Sequence, residues 1–376
     1  MDFQLSDEQS LLRDTTRDLL ARSYDPESRI KVIDTELGWS REVWSQLADI
    51  GILGLGFDPD DESGQIEIMA VLTEIGRRLA PEPVVHGALA PGSLIAEQGS
   101  DAQRELLDEV AGGQRLLAFA HLEPGQRKPA TATSDLTTRA ERQGDSWLLS
   151  GRKNPVLAGD CADTLVVSAV LPDGGAGLFL VDASQENTAV TRHPYPTFDG
   201  QRGAQIDFDR SPAEPLGEAV DASRAIVHAV IRIQSALCSE AVGAMEEALR
   251  LTTDYLKTRK QFGVTLNKFQ TLTQRSADMY MSLELARSMS FYAAMSIADG
   301  NLDPLIASRA KLQIGRSGRH IAQESIQLHG GIGMTAEYPV GHYAARLTAI
   351  EHTLGSSQDH LQVLIDHVGD YGLVRL

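Results

Sequence analysis

At 376 residues, 42% of them apolar and 23% charged, the chain is long enough for two or three domains around a large core and has an ordinary globular composition. Its 34 Lys and Arg against 52 Asp and Glu leave a formal net charge of −18. That balance excludes general affinity for nucleic acid or an anionic membrane, though not a local cationic site for phosphate. Cys161 and Cys238 lie far apart without metal-ligand spacing, so neither a disulfide framework nor a metal site is expected, and a reducing cytoplasm fits. Met1-Asp2-Phe3-Gln4-Leu5 lacks the basic and apolar regions of a signal peptide, and no apolar run is read as long enough to span a membrane.

The first 115 residues read as a helical domain. Ser6 and Gln9 form a capping-box pattern, and Leu11, Leu12, Leu19 and Leu20 follow at helical spacing. Further helices are expected near 40–50, 66–79 and 101–109, with links at 51–56, 81–83 and Pro91-Gly92. Residues 116–216 change character. Short apolar runs at 116–122, 146–149, 164–171 and 177–181 alternate with turn residues at 143–145, 172–175 and 199–200, and Gln205–Phe208 alternates polar with apolar. This segment reads as a β-sandwich or barrel-like domain.

From 217 to the C-terminus the period is helical again. Ile233, Leu237, Ala241, Met245 and Leu249 fall four apart on one face, and a second pattern runs from Phe269 to Ile297. Asp303-Pro304 opens a third with an N-cap and a first-turn proline, and 340–368 supplies a fourth. Four long helices with short links predict a bundle. The third helix closes on Gln327-Leu328-His329-Gly330-Gly331-Ile332-Gly333. From the residues alone this is equally a glycine cap with a loop and a place where backbone approaches a ligand without a Cβ in the way. A second stretch, Arg259-Lys260-Gln261-Phe262-Gly263 followed by Phe269-Gln270, sits at another helix end. An Arg, amide side chains and glycine N–H groups suit a pyrophosphate, and Phe262 suits a purine ring. Arg259 reads equally as a cation on a helix dipole, and Phe262 as core.

Those two stretches, with Glu337-Tyr338-Pro339-Val340 after the glycines, resemble the acyl-CoA dehydrogenase family, and the helical, β, helical order matches along essentially the whole chain. The resemblance implies that family's α+β fold: an N-terminal helical domain, a middle β domain and a C-terminal four-helix bundle. It implies FAD as cofactor and removal of an α-proton and a β-hydride from an acyl-CoA, with electron-transferring flavoprotein as acceptor. In the family the matching residues reach over to a neighbouring subunit's FAD. Carried over by motif they are Arg259, Gln261, Phe262, Leu266, Phe269, Gln270, Gln327, Gly330 and Gly331.

The departures from the family pattern are specific. Its carboxylate base commonly follows Tyr-Pro-Val in a Tyr-Glu-Gly-Thr string; here that region reads Thr353-Leu354-Gly355-Ser356, so Leu354 stands at the base position. The alternative base position, at the start of the first bundle helix, falls on Ile233 beside Gln234. Glu240 and Glu351 are nearby but read as solvated or structural. The strings that contact the flavin ring are also altered, to Leu122-Glu123-Pro124-Gly125-Gln126-Arg127 and Lys153-Asn154-Pro155-Val156-Leu157. The hydroxyl donors are gone and Pro155 has no N–H.

The chain is therefore similar to the small subunits of two-gene acyl-CoA dehydrogenases, of the pimeloyl-CoA and steroid-CoA types, which pair with a paralogue in a heterotetramer. Ser239–Met245, Asp254–Arg259, Gln313–Arg319 and Val340–Tyr343 carry that likeness. It implies no catalytic residue in this chain, an FAD shared with a partner that carries the Glu, and an acyl-CoA substrate. A self-sufficient dehydrogenase with a relocated base, a flavin-free acyl-CoA-binding scaffold and a flavin monooxygenase are the rival readings.

Overall fold

A computed structural model of the protein describes residues 5–58, 64–125, 133–184 and 188–370. The chain forms two compact units, one of residues 30–68 and 81–233, the other of the residues up to 29, 69–80 and 234 onward.

The helices of the N-terminal third start where the sequence places caps. Ser6 caps α1 (Asp7–Ser23), its hydroxyl accepting from the Gln9 N–H while the Gln9 side chain accepts from the Ser6 N–H. α2 (Pro26–Ile33) has no counterpart in the sequence reading. Asp25 Oδ1 accepts from the N–H groups of Glu27 and Ser28 at 2.9 and 2.8 Å, and Pro26 opens the helix. Ser40 caps α3 (Arg41–Asp49), and α4 (Gly64–Arg78) follows. Pro91-Gly92 is not a link. It lies in α5 (Ala90–Gln98), where Pro91 occupies the first turn and Gly92 is buried against the Phe57 ring. The helix expected over 101–109 is two pieces, α6 (Asp101–Arg104) and α7 (Leu106–Ala111).

The strands are β1 (Leu117–Ala120), β2 (Arg139–Gln143), β3 (Ser146–Leu157), β4 (Thr164–Val170), β5 (Ala176–Asp182), β6 (Val190–Pro196) and β7 (Arg202–Pro215). Pairing runs β4-β2-β3-β7-β5 and returns to β4, closing a barrel-like ring, with β1 beside β4 and β6 beside β7. Leu149, Val156, Leu165, Val167, Phe179 and Ile206 fill its core. β2 and β6 escape apolar pattern reading because they are mostly exposed and polar. β3 is three times longer than its apolar start suggests. Pro155 falls at a register shift between Lys153 and Val156, where the ladder asks for no N–H.

The helical unit is built on α8 (Ser223–Thr258), α9 (Gln270–Ala298), α10 (Pro304–His329), α11 (Val340–His352) and α12 (Ser357–Asp366). α8 is long and apolar enough to cross a membrane, which the reading of the sequence overlooked; most of that stretch is buried inside the protein. α4 and α8 cross at glycines. A Cβ at Gly76 would overlap the Glu240 carbonyl, and one at Gly243 would overlap the Thr73 carbonyl. Asp303 caps α10 through the Leu305 N–H at 2.8 Å, with Pro304 in the first turn. The fourth expected helix is instead two. Leu354 and Gly355 take φ of +59° and +108°, which ends α11, and Ser356 caps α12.

Candidate functional site

α8 ends at Thr258, and the chain turns back at once in a two-strand hairpin of β8 (Lys260–Gln261) and β9 (Val264–Thr265). Arg259 is held from both sides: its N–H donates to Tyr255 O at 2.8 Å and its carbonyl accepts from the Leu266 N–H at 2.9 Å. Phe262 and Gly263 form the turn with φ of +52° and +83°. Two-residue hairpin turns of this type require positive φ at both centres and favour Asn-Gly, so a phenylalanine there is strained. Phe262 is also 91% exposed, which rules out the core reading. Its ring meets Phe269 edge-on at 6.2 Å. Leu266 begins a short 3-10 turn, Phe269 precedes α9 and Gln270 is its first residue. From Lys257 to Lys268 there are four cations and no acid, in a chain of net charge −18. The arm is thus an exposed, cationic and apolar projection.

The second stretch lies in the same unit. Gln327 is exposed in the last turn of α10. Gly330 takes φ +66°, and its N–H donates to Ile326 O as a helix cap, so the cap reading is correct as far as it goes. No atom lies within 4 Å of where a Cβ would stand on Gly330 or Gly331, so the turn presents bare backbone to the surface. Guanidinium, amides, glycine backbone with no Cβ in the way and an exposed ring are the set that a nucleotide diphosphate asks for. The residues present therefore fit the ADP half of FAD.

No side chain at the two expected base positions can take a proton. Leu354 occupies the strained turn between α11 and α12, and its carbonyl accepts from Gln234 Nε2 at 3.2 Å. Ile233 is buried. Glu240 and Glu351 are structural rather than solvated. Glu240 is buried and accepts from Arg346 Nε and Nη2 at 2.6 and 2.7 Å. Glu351 is buried too, accepting from Arg319 at 2.9 Å and from the N–H and hydroxyl of Ser357 at the start of α12. Both carboxylates are held by cations and do not face open space.

The two altered strings of the middle domain are tied by a buried ion pair that sequence reading missed. Lys153 Nζ is fully buried, 2.7 Å from Glu123 Oε1, 3.0 Å from His121 O and 3.2 Å from Ser168 Oγ. Glu123 also accepts from the Thr137 N–H and hydroxyl and from the Thr138 N–H. Burial pushes the Glu123 carboxyl up, but the Lys153 charge and these donors outweigh it and hold it at about 2. Burial pulls the Lys153 ammonium down to about 8, with Glu123 opposing. Asn154 is engaged as well: its N–H donates to Leu122 O at 2.8 Å and its side chain accepts from the Tyr195 hydroxyl at 2.8 Å. Gln126 and Arg127 lie outside the described residues.

Residues 6–114 match the model of the acyl-CoA dehydrogenase N-terminal domain, and 231–369 that of the acyl-CoA dehydrogenase C-terminal domain. The structure of a variant of the Tcur3481–Tcur3483 steroid ACAD is 31% identical over 97% of this chain and 98% of that one, with a TM-score of 0.86. The ChsE4–ChsE5 complex from Mycobacterium tuberculosis is similar in fold, at 23% identity, 99% and 100% coverage and a TM-score of 0.88. So is a glutaryl-CoA dehydrogenase from Mycobacterium smegmatis in complex with FADH2, at 21% identity, 99% and 97% coverage and a TM-score of 0.87.

Proposed function

The chain belongs to the FAD-dependent acyl-CoA dehydrogenase family, and on that premise we propose that it is the non-catalytic subunit of a heterotetrameric enzyme. A paralogous partner holds the FAD ring and carries the carboxylate base. This chain lends the partner its arm and its glycine turn: Arg259 and the N–H of Gly331 to the pyrophosphate, with Gly330 letting the backbone approach, Phe262 to the adenine, and Gln261, Gln270 and Gln327 as amide donors, with Leu266 and Phe269 backing the ring. FAD, when bound there, would supply the hydride acceptor for the substrate's β-hydrogen. The contribution of this chain is to hold the nucleotide half of that cofactor and to seal the interface around it.

The observation that carries the reading is a contrast within one helical unit. Arg259, Gln261, Phe262, Gln270, Gln327 and the two glycines are all exposed, while the expected base position holds Leu354 and the nearby carboxylates are locked in ion pairs. The likeness to a steroid ACAD named for two chains favours a bulky acyl-CoA as the complex's substrate. Electron-transferring flavoprotein is the acceptor this reading expects.

The test is co-expression with paralogous acyl-CoA dehydrogenase chains of the same genome, followed by mass and flavin determination. Two FAD per four chains, with flavin loss on Arg259→Ala, is the expected result. A stable yellow homotetramer of this chain, or four FAD per mixed tetramer, would overturn it.

A further inference from the structure

His329 stands between Gln327 and the glycines, yet none of the roles above uses it. It is the last residue of α10 and is 4% exposed. Its ring lies 4.6 Å from the Tyr255 ring at 31° and 4.9 Å from the Tyr338 ring at 52°, and the two tyrosines meet each other at 6.3 Å. Nδ1 lies 2.7 Å from Ser325 O, one turn back, so it is the nitrogen that carries the proton toward that carbonyl and fixes the ring's orientation. The same pair of helices is joined one turn earlier by Thr252 Oγ1 and Ser325 Oγ at 3.1 Å, both fully buried.

The consequence is geometric. Tyr255 is the residue whose carbonyl receives the Arg259 N–H, so whatever fixes Tyr255 fixes the root of the arm. His329 is the residue from which the glycine turn departs. A Cβ on Gly330 or Gly331 would meet nothing within 4 Å, whereas one on Gly333 would come within 3.1 Å of the His329 Cβ, so the turn lies close against His329. Tyr338 holds the returning chain just before α11. One imidazole therefore joins the arm, the glycine turn and the turn's exit. An apolar side chain would fill the same space without desolvating a polar ring, but it would lack the bond that fixes the ring's direction.

We propose that His329 is a positioning residue: the Tyr255–His329–Tyr338 cluster sets the glycine turn and Arg259 at the mutual register in which both act on one diphosphate. Donors on separate segments bind a polyanion well only if their spacing is fixed beforehand, since each loose segment must be ordered on binding. This inference rests on the shared-cofactor reading, and the test separates the two.

The measurement is the rate at which FAD leaves the flavin-loaded oligomer the chain forms, followed by flavin fluorescence, with native mass to report assembly. Arg259→Ala, His329→Ala, His329→Phe and the double variant Arg259→Ala/His329→Ala are compared. Assembly is expected to persist in all four. Loss of FAD should be about tenfold faster in His329→Ala, while His329→Phe, which keeps the ring stack, should stay within about threefold of the parent. The double variant should lose FAD clearly more slowly than the product of the two single effects, because part of the His329 effect passes through Arg259 and only the part through the glycine turn remains once Arg259 is gone. If Arg259→Ala changes nothing, the shared-cofactor reading fails. If Arg259→Ala weakens retention but His329→Ala does not, or if the two losses multiply in the double variant, the positioning role is overturned. Should His329→Ala fail to fold, His329→Leu replaces it: faster loss supports the role, and parental retention overturns it.

Discussion

Phe262 is destabilising twice over. Its backbone sits where a bulky residue is strained by about 1–3 kcal/mol, and its ring is left in water. Neither is useful to the chain alone. Phe262→Asn is therefore expected to raise stability by about 1 kcal/mol in urea unfolding, since Asn-Gly suits this turn, while FAD retention by the assembled enzyme falls. A variant that weakens both would show the ring to be structural. The Glu123–Lys153 pair is the opposite case, buried and bonded entirely within the chain. Lys153→Ala leaves a buried carboxylate without its cation and is expected to cost about 3–5 kcal/mol, read as a lowered urea midpoint. The sign of the pH dependence follows from Glu123. Its folded value of about 2 lies below the ordinary carboxyl value of 4.5, so its stabilisation is full above that value and fades as pH falls toward 2. The stability gap between the parent and Glu123→Gln should accordingly be wide at pH 7 and narrow at pH 3.

Among the elements, the α4–α8 crossing depends on two glycines that let backbone meet backbone. Gly243 belongs to a string that carries the family likeness, and its reason is steric: a methyl there meets the Thr73 carbonyl, which cannot swing away as a side chain would. Gly243→Ala should cost about 2 kcal/mol or more in thermal or urea unfolding, since the helices must separate along their length. Gly331→Ala meets nothing and should leave stability within about 0.5 kcal/mol, yet place a methyl where a cofactor phosphate would approach. Together the pair distinguishes a glycine kept for packing from one kept for a ligand. The break between α11 and α12 is held by the same economy of parts. Glu351 receives the Ser357 N–H at the first turn of α12, and Ser356 caps it, so a carboxylate read as a rival base is a helix-end anchor.

For the molecule as a whole, the helical unit is laced by alternating charges. Arg17, Glu74, Arg77, Glu246, Arg287 and Glu284 bond in sequence from α1 through α4 and α8 to α9. Such a chain holds helices in register at half-buried positions better than isolated surface pairs do. Against the overall charge of −18, the cationic arm from Lys257 to Lys268 is a local exception at the place where an anionic cofactor would be met. Activity with acyl-CoA is expected only in the mixed oligomer. The chain purified alone should turn over no acyl-CoA with an electron acceptor, and adding the paralogue should bring both activity and yellow colour.

Periodicity, caps and turn residues determined the order of helical and β segments, the capping box at Ser6, the start of α10 at Asp303-Pro304 and the glycine stop after His329. All of these are local, decided by a few neighbouring residues. The same is true of the two expected base positions, since Leu354 and Ile233 lack a titratable group whatever their surroundings. Only the tertiary structure decided what was set by distant contacts. β2 and β6 are polar strands made by pairing, Pro91 is helical because a π-helical turn over Val85–Leu89 runs straight into α5, and 340–368 is split because Leu354 and Gly355 turn left-handed. Glu240 is buried because Arg346, 106 residues away, neutralises it. His329 joins two motifs because Tyr255 and Tyr338 arrive from other helices and turns, and no spacing in the sequence announces that they will meet.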